Sequence, residues 1–459
     1  MKSRLSKLAS NRIVRSVTVL VSGTAIGHIV TLVALPILTR LYTPDDFAIL
    51  ALITSVISMI SVAACMRLEL AVPLPERDRD GINLLTTALL SSVLVSLFLL
   101  LLVALFSKSL AVLIGREQAA PYFLLIPFGV WLTSTSLALQ YWLSRKKRFS
   151  VISTTRITRS MSGSGVQIGL GIWGLAPLGL ILGQIMIGGA GVIRQFANIL
   201  SNDRRLMGSI SPDKMRKVAK EYRKFSFYSV LAALSNSAGA QLPVILIAAL
   251  VVGPEAGFLL LATRLMTSPI SLIGGAVSQV YISHAPEELR KGELGRFTEK
   301  VLSGLLVSMV GPLIFLGMVS PYFFGFVFGS DWSRAGEIVA WITPWITMRL
   351  LSTPIATALQ VARREEVSLL LQAVGLISRV GVVLAASFWW PYIVVESYAV
   401  ASFAFYALYF VVLTKVSGVD YKRLFNVSRK GQLIVLGWLA VAVMSQAVVA
   451  NFIIKSASL

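Results

Sequence analysis

The chain has 459 residues, 56% of them hydrophobic and 14% charged, with a formal charge of +21. A soluble domain carries about 25% charged residues, so this composition excludes a soluble protein and predicts an all-α polytopic membrane protein with no sizeable soluble domain. In a soluble protein so positive a charge would suggest nucleic acid. Here no nucleic-acid-binding motif is present, and most cations fall in short loops, where they act as orientation signals and lipid-headgroup contacts.

In chain order, Met1 to Ser16 carries Lys2, Arg4, Lys7, Arg12 and Arg15. The apolar stretch that follows is too long for a signal-peptide core. It reads as a retained first span with a cytoplasmic N-terminus. Apolar segments long enough to cross a bilayer then recur at 17–39, 46–73, 82–107, 121–144, 149–174, 177–200, 226–251, 255–283, 301–328, 333–361, 366–390, 392–414 and 432–454. The positive-inside rule tests this order. Alternate segments starting from the N-terminus hold thirty Lys and Arg, including the run Arg145-Lys146-Lys147-Arg148 and eight in 201–225, against five on the other side. Twelve crossings alternate on this pattern, and the thirteenth segment is an appended hydrophobic helix. Cys65, the only cysteine, lies within a span, so neither an intrachain disulfide nor a metal cluster is expected.

The basic segment 201–225 divides the chain. The expected domains are an N-lobe (1–200), the cytoplasmic linker (201–225), a C-lobe (226–414), and a basic loop with the last hydrophobic helix (415–459). Both lobes open with a proline in the span followed by a Pro-acid turn: Pro36 then Pro44-Asp45, and Pro243 then Pro254-Glu255. With six spans on each side of the linker, this pattern predicts a parallel pseudo-repeat of two six-helix bundles. Gly23 and Gly27, and the patch Gly188-Gly189-Ala190-Gly191, are spaced for close helix contact.

Arginines within the spans are the informative feature: Arg67, Arg156, Arg159, Arg264, Arg349 and Arg379. A charge near the bilayer centre costs between about 3 and 17 kcal/mol, depending on the measure. Such residues face one another, water or an anionic ligand. Arg156 and Arg159 share one face of their span, and Arg264 lies roughly 14 Å into its span at the helical rise. Arg67 either pairs with Glu69 or reaches the inner surface, and Arg194 reaches that surface. Acids are scarce at depth, so the chain predicts a cationic cavity formed by Arg264, Arg379, Arg349, Arg159 and Arg156. Guanidinium holds phosphate oxygens bidentately and stays charged, which suits a diphosphate in low dielectric.

Glu69 is the foremost carboxylate for Na⁺ or H⁺ coupling, alone or as a structural pair with Arg67. Asn236, Ser237 and Gln241 on span seven suit sugar hydroxyls, a cation, or contacts between helices. His28 reads as a core histidine, and Trp142, Trp173, Trp332, Trp389, Trp390 and Tyr392 as interfacial aromatics. No phosphate loop, HExxH or GxSxG motif occurs, so the chain reads as no enzyme, without cofactor or metal.

Three stretches resemble polysaccharide-biosynthesis flippases: Leu35-Pro36-Ile37-Leu38-Thr39-Arg40-Leu41-Tyr42-Thr43-Pro44-Asp45-Asp46-Phe47; Arg67-Leu68-Glu69-Leu70-Ala71-Val72-Pro73-Leu74-Pro75; and Arg264 to Gly274 with Ser278-Gln279-Val280-Tyr281. The resemblance is to the O-antigen (Wzx-type) branch of the multidrug/oligosaccharidyl-lipid/polysaccharide (MOP) exporter superfamily. It implies two six-helix lobes around a central cationic cavity in the bacterial inner membrane. It also implies translocation of an undecaprenyl-diphosphate-linked oligosaccharide to the periplasmic leaflet by alternating access, coupled to an ion gradient. Arg264 then takes a diphosphate-contacting role, and a polysaccharide polymerase and a chain-length regulator come into view as partners. A cation-coupled small-molecule or drug exporter of the same fold is the alternative, followed by a membrane polymerase or ligase.

Overall fold

The structure is a computed structural model. It describes the backbone of residues 2–362 and 364–457, and side chains between 19 and 446 except at positions 20, 272, 276, 363, 365, 427 and 430. The side chains of Lys2, Arg4, Lys7, Arg12, Arg15, Arg363, Lys430 and Lys455, and of the end of the thirteenth segment, lie outside the described residues.

Among the described residues the regular structure is all helical, and each of the thirteen expected segments is helical over most of its length. The first are α1 (Lys2–Leu41), α2 (Pro44–Ala64), α3 (Asp78–Leu113), α4 (Leu125–Arg145), α5 (Phe149–Ile172), α6 (Leu178–Gly189) and α7 (Val192–Asn202). The basic linker forms α8 (Pro212–Glu221) and runs into α9 (Arg223–Leu250). Then come α10 (Glu255–Arg290), α11 (Leu294–Leu305), α12 (Gly311–Phe328), α13 (Ser333–Ser352), α14 (Glu365–Trp389), α15 (Val394–Ser417), α16 (Tyr421–Val427) and α17 (Arg429–Ala457).

Among the described residues, nine helices are long and apolar enough to cross a membrane, or ten if α4 and the turn Glu117–Phe123, bent by 46°, form one span. Twelve crossings are not reached on this criterion because α5 and α13 carry arginines and many hydroxyl side chains. In α17 the apolar stretch is the shorter Gly431–Gln446.

Contacts divide the chain into a unit of residues 1–42 and 49–245, and another of 43–48 and 246–459. The division falls within α9 and not at its start. Ser226 at that start donates to the carbonyl of Met66 at 2.6 Å, which holds it on the first unit.

In the first unit, close approach of small residues sets the packing. A Cβ on Gly23 would lie 2.1 Å from the Ser153 hydroxyl, and one on Gly27 2.9 Å from that of Ser160, so both glycines let α1 rest on α5. Against α6, a Cβ on Gly163 would come within 2.7 Å of the Gly183 carbonyl oxygen. Tyr42 donates to the Gln167 carbonyl at 2.6 Å across the same bundle. Gly163→Val is therefore expected to cost about 1–3 kcal/mol, because backbone must move to admit it. Gly165→Ala, which meets open space, should leave stability unchanged or slightly raised. Thermal unfolding of the two purified variants in detergent checks the contrast.

The loop run from Arg145 to Arg148 is locked and not simply solvated. Asp203, 5% exposed, accepts two bonds from Arg148, both at 2.8 Å, and one from the Trp142 indole at 3.0 Å. Arg145 donates to Asp78 at 3.0 Å and to the Val72 carbonyl at 3.1 Å. These ion pairs cover a core containing Leu68, Leu84, Leu139, Trp142 and Ile199.

The second unit opens on a helix start shared with the chain before it. Thr43 and Asp46 bond reciprocally as a capping box, at 2.8 and 3.3 Å. Phe47 and Phe258 both meet the Trp332 ring edge-on, at 4.8 and 5.9 Å. Trp332, expected at an interface, is thus 1% exposed. In the same unit α12 packs against α17, where Gln446 donates to the Met318 carbonyl at 2.6 Å.

Candidate functional site: the interior arginines

On α5, Arg156 and Arg159 share a face, as their spacing requires. Arg156 bonds to the Thr24 hydroxyl on α1. Arg159 donates to the Ile187 carbonyl at 2.5 Å and to Ser136 at 3.4 Å, and Ser136 in turn donates to Gln195 at 3.3 Å. His28 is half-buried within electrostatic reach of Arg156. Each of these partners among the described residues is neutral, so no acid there offsets the two guanidinium charges.

In the second unit, Arg379 on α14 is 8% exposed. Its Nε donates to the Gly375 carbonyl at 2.6 Å, and its guanidinium lies 4.8 Å from the centre of the Phe405 ring. A Cβ at Gly375 would lie 2.5 Å from that ring, so the glycine makes room for the contact. Arg379 and Arg349 of α13 both act electrostatically on Tyr398 of α15. Around them stand Trp345, stacked on Tyr406 at 5.9 Å, and Phe405, stacked on Tyr409 at 5.8 Å. Cation–π contact is the form of partnership open to a cation held without an acid. Arg264 is half-buried on α10, and its carbonyl accepts from Ser268 at 2.7 Å.

None of Arg156, Arg159, Arg349 and Arg379 has a carboxylate within salt-bridge distance among the described residues. The acids near the other end of the second unit are committed elsewhere. Arg334 of α13 gathers Glu255 at 3.3 Å, Glu337 at 2.8 Å and Glu396, joining α10, α13 and α15. Two apolar cavities, of about 260 Å³ between α3 and α4 and about 390 Å³ among α12, α13 and α15, are lined by none of the interior arginines.

The expected second span, 46–73, is shorter than its hydropathy. α2 stops at Ala64, because Met66 (φ 54°) and Arg67 (φ 57°) adopt left-handed backbone and Leu68–Ala71 form a 3₁₀ turn. Arg67 and Glu69 therefore lie beyond the membrane-crossing helix. Their closest side-chain atoms are 3.6 Å apart, with Glu69 1% exposed and one of its oxygens unbonded. Burial pushes the Glu69 carboxyl above the ordinary carboxylate range, outweighing the pull of its own backbone hydrogen bond and of Arg67. On α9, Asn236 is exposed while Ser237 and Gln241 are half-buried. Neighbouring Ser235 spends its hydroxyl on the Leu231 carbonyl.

The aromatic residues around Arg379 escape a reading by residue type alone. Their signal is spacing: Tyr398, Ser402, Phe405 and Tyr409 repeat on one face of α15, and Trp345 stands one turn before Arg349.

The family model described as polysaccharide biosynthesis protein matches residues 37–337. No curated protein sequence matches the chain. Among solved structures, the chain is similar to the lipid II flippase MurJ in an inward closed conformation, with a TM-score of 0.69 at 12% identity, covering 96% of this chain and 99% of that one. An inward-facing multidrug resistance MATE family transporter of the MOP superfamily gives a TM-score of 0.62 at 14% identity, covering 88% and 96%. A MOP superfamily transporter from Pyrococcus furiosus, described as having a binding pocket of reverse polarity, gives 0.53 at 14% identity, covering 88% and 95%. At such identities the likeness is one of fold: a multi-pass, MOP-type transporter fold. Together with the family model over most of its length, it shows that the chain belongs to the polysaccharide biosynthesis protein family.

Proposed function

We propose that the protein is a flippase that moves an undecaprenyl-diphosphate-linked oligosaccharide, an O-antigen or exopolysaccharide repeat unit, from the cytoplasmic to the periplasmic leaflet of a bacterial inner membrane by alternating access. The observation that carries this reading is that Arg156, Arg159 and Arg379 are held by neutral partners among the described residues. A transporter for cations would place carboxylates at these positions. Guanidinium groups left without acids favour an anion, and a diphosphate offers both the charge and the oxygen geometry they bind best. Arg264, within the motif that resembles the flippases, and Arg156, Arg159, Arg349 and Arg379 supply that complementarity. The N-terminus is cytoplasmic in this reading, and a polymerase and a chain-length regulator act on the delivered unit.

Expression of the chain in cells lacking their own repeat-unit flippase tests it. Restored surface polysaccharide, with loss of the accumulated lipid-linked intermediate, is the expected result. Persistence of the intermediate at normal protein levels contradicts the reading.

One feature favours a second reading, a cation-coupled exporter of small molecules: Glu69 is a buried carboxyl with an unbonded oxygen. In a flippase the same group serves Na⁺ or H⁺ coupling. Growth of expressing cells in the presence of cationic drugs separates the two, since only the exporter confers resistance.

A further inference from the structure

The strongest surface feature outside the arginine site is the linker between α7 and α9. Arg204, Arg205, Lys214, Arg216, Lys217 and Lys220 are all exposed, and the exposed acids among them are Asp213 and Glu221. The same stretch is bordered by exposed apolar residues: Ile193 at 82%, Phe227 at 65% and Tyr228 at 69%. Charge and apolar rim together match the boundary between phospholipid headgroups and acyl chains.

Two further observations place the surface. The helices on either side, Leu178–Asn202 and Arg223–Leu250, are both long and apolar enough to cross a membrane, so the linker is tethered to the bilayer at each end. It is also fixed to the bundle below it. Asp203 carries the ion pair with Arg148. Asn83 of α3 donates to the Ser209 carbonyl at 3.3 Å and accepts from the Ser211 backbone at 3.2 Å. Val218 is buried, so α8 turns its apolar side inward and its lysines and Arg216 outward.

We propose that this surface is a docking site for the anionic phospholipids of the leaflet it borders, with α8 lying in the headgroup layer. Each basic residue near an anionic surface strengthens binding about fivefold. This inference does not depend on what the protein transports.

Hydrogen–deuterium exchange of residues 212–224 tests it, with the full-length protein in nanodiscs of phosphatidylcholine alone or with phosphatidylglycerol. Exchange should slow by about tenfold or more when phosphatidylglycerol is present. The variant Lys214→Gln, Arg216→Gln, Lys217→Gln, Lys220→Gln should lose that difference while matching the parent in phosphatidylcholine. Equal exchange of the parent in both lipids, a comparison that needs no variant, overturns the proposal. Full protection of the variant overturns it too. Protection by millimolar inorganic phosphate in phosphatidylcholine nanodiscs would reveal a site for free phosphate and equally overturn docking to the leaflet.

Discussion

Asp203→Ala is expected to destabilise the protein by about 1–3 kcal/mol, the cost of removing a buried acceptor from a half-buried cation and a buried indole N–H. The carboxylate is 5% exposed, and both its oxygens are bonded, to Arg148 and to the Trp142 indole, with Lys146 4.0 Å away. Removing it leaves the half-buried Arg148 guanidinium with Asn198 alone, at 3.1 Å, and leaves the indole N–H of the fully buried Trp142 without its acceptor. Asp203→Asn should fall between parent and alanine, because an amide oxygen still accepts from Trp142 but no longer pairs with Arg148. The pair Asp203→Ala and Arg148→Ala should be markedly less destabilising than the sum of the single changes, since the stranded charge is then absent. Thermal unfolding of the four purified proteins in one detergent provides the cycle. Additive effects would show that the bidentate contact contributes little.

Arg264→Ala and Arg379→Ala are each expected to reduce transport by about tenfold to a hundredfold at normal protein levels, the range of one lost charge-assisted hydrogen bond. The lysine variants separate charge from geometry. Arg264→Lys keeps a point charge and should retain part of the activity, but it loses the planar fork that matches two phosphate oxygens. Arg379→Lys also loses the guanidinium contact over Phe405 and the Nε bond to Gly375, so it should be the more damaging of the two lysine changes. Accumulation of lipid-linked intermediate in cells reads both series. Undiminished transport in both alanine variants would remove the cationic site from the account.

Much of this was legible in the sequence because hydropathy and helix are tightly linked in a bilayer: backbone groups there must bond within their own segment. That is why all thirteen apolar segments are helical over most of their length. The end of α2 was not legible. Leu68, Leu70, Ala71 and Val72 continue the apolar run, and no glycine or proline marks the break. Met66 and Arg67 adopt left-handed backbone where the Met66 carbonyl accepts from Ser226, a partner 160 residues away with no local signature.

At the site, spacing placed Arg156 and Arg159 on one face, yet their partners come from other helices and have no local signature. Among the described residues, the ion-pair cluster around Arg334 has only one partner close in sequence. Glu337 stands three residues along the same helix, but Glu255 and Glu396 lie on two other helices that only tertiary packing brings to it. The locking of Arg148 onto Asp203 was hidden for the same reason, since the two are far apart in sequence. Depth along a single helix is readable from the sequence, whereas pairing between helices is not.

The central claim is that the interior arginines serve passage of a diphosphate-linked lipid. Its most direct test is transport by the purified protein in proteoliposomes, comparing a fluorescent undecaprenyl-diphosphate-linked oligosaccharide with a fluorescent organic cation. The account predicts movement of the diphosphate substrate across the bilayer, no movement of the cation, and loss of the former in Arg264→Ala. Transport of the cation without the diphosphate substrate, or diphosphate transport unchanged in Arg264→Ala, would contradict it.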